Sequence, residues 1–154
     1  MSRYPMSALK QSARQGSRAQ EDYLEQIHKL IAEKGYARVV DVAKNLGLAQ
    51  ASVTNMIQRL DADGLVNYEK YRGVVLTDEG EEIARAIVRR HEELTTFLEL
   101  FGVDDATIYE DVEGMEHHIS PETLAAIISL TAELQRQPAL VKRVQERMKQ
   151  IRRA

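Results

Sequence analysis

The punctuation of the apolar pattern between Gln20 and Leu76 leaves this chain little freedom in how it folds. From Gln20 to Lys34, the residues Tyr23, Leu24, Ile27, Leu30 and Ile31 recur at intervals of three and four, which places them on one helical face, and Gly35 follows where such a helix should stop. Val39, Val40, Val42, Ala43 and Leu46 give a shorter helix closed by Gly47, and Val53, Met56, Ile57 and Leu60 give a third that ends near Gly64. Three short helices with tight glycine-containing joints predict a helix-turn-helix core. The pattern then changes: LVNYEKYRGVVLT sets the strand formers Tyr68, Tyr71, Val74 and Val75 around an Arg-Gly pair, which predicts a hairpin with a basic tip.

Helical spacing returns at Asp78 and runs to Phe101 through Ile83, Ile87, Leu94 and Leu98, with Thr77 or Asp78 as its cap. Further helices are predicted over Asp104 to His118, Pro121 to Gln135 and Pro138 to the C-terminus, the last two opened by a proline in the first turn. The fold class is therefore mainly α: a flexible basic arm over 1–20, a winged helix-turn-helix over 21–77, and an all-helical domain over 78–154. No internal repeat is visible. The chain has no cysteine, which excludes disulfides and thiolate metal sites and leaves oxygen and nitrogen as the donors for any metal. The first twenty residues hold four basic residues, no acid and no apolar run of signal-peptide length, so a cytoplasmic protein with no membrane segment is expected.

In a winged helix-turn-helix the second helix of the pair enters the major groove of double-stranded DNA. With Val53, Met56, Ile57 and Leu60 turned inward, Gln50, Ala51, Ser52, Thr54, Asn55 and Gln58 face outward. Amide side chains bond an adenine edge bidentately, a serine hydroxyl donates or accepts, and the methyl of Ala51 or Thr54 suits a thymine methyl. Arg59, Lys70 and Arg72 are placed for phosphates, the last two on the wing. The basic residues Arg3, Lys10, Arg14 and Arg18 would add salt-sensitive affinity.

The net charge of −3 conceals a strong segregation. Both ends are basic, whereas the stretch from Asp78 to Glu122 is rich in acids and holds three of the four histidines. Within it lies DVEGMEHH, where Glu113, Glu116 and His117 fall on one helical face at a spacing of three and four. Two like charges there repel unless a cation joins them. Asp22 and Glu25 are likewise three apart, beside the apolar stripe of the first helix, and His91 lies on the long helix. If these surfaces converge they offer four carboxylates and two imidazoles, a charge that two divalent cations would neutralise. Oxygen-rich surroundings of this kind suit manganese or ferrous iron better than tetrahedral zinc.

EDYLEQI, GYARVVDVAKNLGLAQASVTNMIQRL, EKYRGVVLT, RRHEELTTFL and DVEGMEHH together make the chain resemble the manganese-responsive branch of the diphtheria-toxin-repressor family, the manganese transport regulators, from about Gln20 to about Gln135. The resemblance implies a manganese-dependent repressor of manganese-uptake genes: a homodimer that binds a palindromic operator and carries two Mn(II) per subunit between its DNA-binding and dimerisation domains. It also implies that Asp22, Glu25, His91, Glu113, Glu116 and His117 are the ligand side chains, with the Glu113 carbonyl beside them. Iron-sensing relatives carry Met where this chain has Asp22 and Cys where it has Glu116, so the hard donors here weight the choice toward manganese. LAQASV lacks the proline that relatives often have at the helix start, which bears on the operator sequence.

His118 projects about 100° round the helix from His117 and reads as a surface residue or one that supports a ligand, Glu110 as an exposed acid that could orient a ligand, and His28 as helix surface. An iron-dependent regulator of the same family is the near alternative. A two-metal hydrolase is the alternative from another class, since carboxylate and histidine clusters also activate water. Neither a substrate cleft nor an independent general base is evident, and a third of the chain is a winged helix, so no small-molecule substrate and no enzymatic activity are expected.

Overall fold

The computed structural model describes residues 18–153 and divides into two units, residues 1–88 and 89–154. Seven helices and one two-stranded sheet form among the described residues, in the order α1 (Arg18–Lys34), α2 (Val39–Leu46), α3 (Gln50–Ala62), β1 (Val66–Glu69), β2 (Gly73–Leu76), α4 (Asp78–Leu100), α5 (Asp105–Met115), α6 (Pro121–Gln135) and α7 (Pro138–Ile151). Most of the basic arm lies outside the described residues, but Arg18, Ala19 and Gln20 already belong to α1.

The first unit is a winged helix built on the apolar stripes of its three short helices. Leu24, Ile27 and Leu30 of α1, Val42 and Ala43 of α2, and Val53, Ile57 and Leu60 of α3 meet in one buried cluster, completed by Leu65, Val66 and Val74 from the wing. Met56 is only half-buried at its edge. Gly47 ends α2 in the left-handed region (φ 64°), where its N–H reaches the Ala43 and Lys44 carbonyls and satisfies the end of the helix.

The wing pairs antiparallel from Val66 opposite Leu76 to Glu69 opposite Gly73. Its tip differs from the expected Arg-Gly turn. Lys70, Tyr71 and Arg72 form the loop, Tyr71 takes the left-handed position (φ 74°), and Gly73 opens the second strand. The glycine is needed both for its positive φ (120°) and for a close approach: Val74 donates to the Ala37 carbonyl at 2.9 Å, and a Cβ on Gly73 would stand 2.6 Å from that same oxygen. Thr77 caps α4, its hydroxyl accepting from the Gly80 N–H (3.1 Å) and donating to the Gly64 carbonyl (2.7 Å).

The second unit begins within α4. Leu94, Ile108, Val112, Leu124, Leu134 and Val141 are its buried apolar residues, one or more from each helix. Asp104 and Ser120 cap α5 and α6, each accepting from a backbone N–H three residues on (Thr107 and Thr123), and the first-turn prolines of α6 and α7 lack the N–H that a helix start leaves unpaired. The Gln145 amide donates to the Leu100 carbonyl at 3.0 Å, tying α7 to the end of α4. Helix α5 stops at Met115, short of the expected His118; Glu116 is its cap residue, and the N–H groups of His118 and Ile119 both turn back to the Met115 carbonyl.

Candidate metal centre and nucleic-acid interface

The early end of α5 shapes the acidic cluster. Glu113 is in the last turn of the helix, while Glu116 and His117 lie just past it, and one donor atom from each falls within 4.8 Å of the others. Glu116 is the centre. Its side chain is fully buried, one oxygen lies 2.9 Å from His91 Nδ1, and the other lies 3.5 Å from His117 Nε2. The His117 ring is 2% exposed and the His91 ring 28%, so the group has a closed side and an open side. A buried carboxylate flanked by two imidazoles, with a second carboxylate one turn away, offers hard oxygen and nitrogen donors of the kind that hold a divalent first-row ion.

Of the six residues expected as ligands, the second unit thus brings together His91, Glu113, Glu116 and His117. The other two, Asp22 and Glu25, lie one turn apart on α1 in the first unit, half-buried and 4% exposed respectively. A feature not anticipated is Lys29, whose Nζ lies 2.6 Å from Glu25 Oε1. The spacing of four along one helix was a readable signal for that pair. His28 also departs from the expected free surface: its Nδ1 lies 3.2 Å from Glu81 Oε2, joining α1 to α4 within the first unit. His118 and Glu110 are exposed.

The residues expected at DNA lie on the outer face of the winged helix. Gln50, Ala51, Ser52, Asn55 and Arg59 on α3 are exposed, as are Lys70 and Arg72 on the wing. Thr54 is half-buried, and its hydroxyl donates to the Gln50 carbonyl at 2.9 Å. Arg72 pairs with Glu69 at 3.2 Å, whereas the Lys70 ammonium lies over the Tyr71 ring, 5.3 Å from its centre. Beside the wing, the Arg38 guanidinium stacks 4.8 Å above the half-exposed ring of Tyr36. No helix among the described residues is long and apolar enough to cross a membrane.

Residues 17–74 match the family described as iron dependent repressor, N-terminal DNA binding domain, and residues 77–145 match its metal binding and dimerisation domain. The chain is 49% identical over 125 residues to the HTH-type transcriptional regulator MntR of Lysinibacillus sphaericus (strain C3-41), covering 81% of this chain and 90% of that one. It is 57% identical over 100 residues to the regulator of the same name from Bacillus subtilis (strain 168), covering 65% and 70%. Among solved structures it resembles a manganese-dependent transcriptional repressor in complex with manganese, at 29% identity and a TM-score of 0.65 over 73% of this chain and 52% of that one. A winged helix followed by a helical unit with a buried carboxylate and imidazole cluster defines the class, a winged-helix metalloregulator. Within that class, the chain belongs to the manganese transport regulators of the diphtheria-toxin-repressor family, the iron-dependent repressors.

Proposed function

We propose that this protein is a manganese-dependent, DNA-binding transcriptional repressor, acting as a homodimer on a palindromic operator and binding two Mn(II) per subunit. It is a regulator and not an enzyme, as its family and its relatives are transcriptional regulators. The ions would be held by Asp22, Glu25, His91, Glu113, Glu116 and His117. When bound, they supply positive charge to four carboxylates.

The observation that carries this reading is Glu116, a fully buried carboxylate with an imidazole nitrogen near each oxygen, in the unit that matches the family's metal-binding domain. A buried anion of this kind is costly unless cations or donors surround it. Without added positive charge, Glu113 and Glu116 repel each other across less than 5 Å, the limit set by their 4.8 Å grouping. Oxygen donors at positions 22 and 116, where softer sulfur would favour other ions, support manganese over ferrous iron. Helix α1 carries two of the donors and packs directly against α3. Balancing the charge on Asp22 and Glu25 therefore steadies the helix that supports the reading face of Gln50, Ser52 and Asn55. Metal and operator then bind with reciprocal cooperativity, each raising affinity for the other by the same factor. Exposed apolar side chains of the second unit, among them Tyr109, Leu130 and Ile151, give a second copy of the chain a surface to cover.

Binding of the purified protein to DNA from upstream of manganese-uptake genes should appear on adding Mn(II) and vanish with chelator. Operator binding that ignores both would overturn the proposal. Sedimentation should show a dimer at micromolar concentration.

A further inference from the structure

Glu25 is an expected donor that already holds a cation of the protein's own. Its side chain is 5% exposed, and Lys29 Nζ stands 2.6 Å from Oε1. The carboxylate is thus deep in the protein while the lysine side chain, 43% exposed, reaches it from the solvent side. A buried ionised carboxylate needs a compensating charge. Lys29, one turn further along α1, supplies that charge without any change in the backbone.

We infer that Lys29 is an internal competitor for the metal at Glu25: its ammonium is the counter-charge to that carboxylate in the metal-free protein, and must leave the oxygen before a divalent ion can take it. This rests on Glu25 serving as a metal donor, as proposed above. Two consequences of the geometry act in the same direction. Oε1 is ion-paired with an ammonium 2.6 Å away, so a metal at that oxygen displaces it. The displaced lysine still carries unit charge on α1 and repels an incoming dication. Displacement is nevertheless easy, because the lysine stem is flexible, half its side chain is in water, and a partly exposed pair of this kind is held weakly. Lys29 therefore raises the manganese concentration at which the sensor responds. It also protects the metal-free protein from a buried, uncompensated anion.

The test uses the full chain and Mn(II) alone, with free Mn(II) followed by electron paramagnetic resonance and the metal-free protein followed by thermal melting. Lys29→Met should tighten Mn(II) binding roughly tenfold, because the competing ion pair is gone. It should also lower the melting temperature of the metal-free protein, and Lys29→Gln should repeat both effects. Lys29→Arg keeps a cation and should stay close to the parent affinity. In a Glu25→Gln background the tightening should disappear, because the shared oxygen has lost its charge. Unchanged or weaker Mn(II) binding by Lys29→Met, while Glu25→Gln alone binds less tightly, overturns the inference and leaves the reading of the site intact. Tightening of equal size with and without Glu25→Gln also overturns it, since Lys29 would then act only as a distant charge. If Glu25→Gln has no effect on Mn(II) affinity, Glu25 is not a donor, and the inference fails together with that part of the proposed function.

Discussion

Replacing Glu116 by glutamine separates the structural from the metal-binding role of the buried cluster. In the metal-free protein the change is close to isosteric. The amide oxygen still accepts from His91, whose Nδ1 is 2.9 Å from the carboxylate, and the new NH2 group faces His117 Nε2, 3.5 Å from the other oxygen. With the His91 hydrogen bond kept and the burial of a charge relieved, metal-free stability should change by no more than about 1 kcal/mol. The metal-loaded protein behaves differently. At a Mn(II) concentration about one hundred times the parent Kd, binding to the folded state adds about 2.7 kcal/mol. Losing one charged donor weakens binding by about 2.7 kcal/mol, or about a hundredfold, so at the same concentration the variant retains only about 0.4 kcal/mol. The missing 2.3 kcal/mol or so corresponds to a melting shift smaller by roughly 9–18 °C for a unit of this size. Thermal melts of parent and Glu116→Gln, with and without Mn(II), measure both quantities. Equal manganese-induced shifts in the two proteins would falsify the assignment of Glu116 as a donor. A metal-free variant several kcal/mol less stable would show instead that its charge is structural.

On the DNA side, Gln50→Ala and Asn55→Ala should each lower discrimination between operator and non-operator by about 1–3 kcal/mol, whereas Lys70→Ala should weaken binding to all DNA and reduce the salt slope by about one unit. Fluorescence anisotropy across salt concentrations and operator variants distinguishes the two behaviours; a wing change that alters sequence preference would reverse the roles. Gly80→Ala should destabilise the winged helix by about 2 kcal/mol or more, because a Cβ there would fall inside the Leu65 carbonyl, a backbone group that cannot rotate away. Urea unfolding reads the loss, and a neutral result would mean that α4 shifts freely along the wing. At Asp104, the backbone N–H and then the hydroxyl of Thr107 hold the carboxyl below its ordinary value. Its contribution to stability should be complete above the ordinary carboxylate range, near pH 4, and fade as pH falls through the lowered folded value. The acid limb of stability against pH should therefore be shallower in Asp104→Asn, and identical limbs would show that this cap carries no linkage.

The helices and the wing were legible because their signals are local. Tyr23, Leu24, Ile27 and Leu30 of α1, Val42 and Ala43 of α2, and Val53, Ile57 and Leu60 of α3 became buried at the expected spacing, although Val40 is exposed, and Gly47 stops α2 where its missing Cβ permits a left-handed turn. The prolines at 121 and 138 mark helix starts for reasons contained in a single turn of backbone. The end of α5 was not legible. No glycine or proline stands at 116, and the chain leaves the helix through turns back to the Met115 carbonyl. The wing tip was misplaced for a related reason: Gly73 opens the second strand, where its positive φ (120°) and the approach of Ala37, thirty-six residues earlier in the chain, both require glycine.

For the candidate site, residue types and spacing singled out Glu113, Glu116 and His117 as neighbours, although only Glu113 lies within the helix and the other two follow its end. Spacing could not say which carboxylate would be withdrawn from water. Glu113 remains half-buried and Glu116 is fully enclosed, a difference set by packing around the two and by His91, twenty-five residues away. Nor did the pattern show that Glu25 would need Lys29, since the demand for a counter-charge arises only once the carboxylate is buried. Helical period, caps and donor chemistry are properties of neighbouring residues and so are written in the sequence. Burial, and with it the electrostatic cost of each charge, depends on contacts between distant segments and exists only in the folded chain.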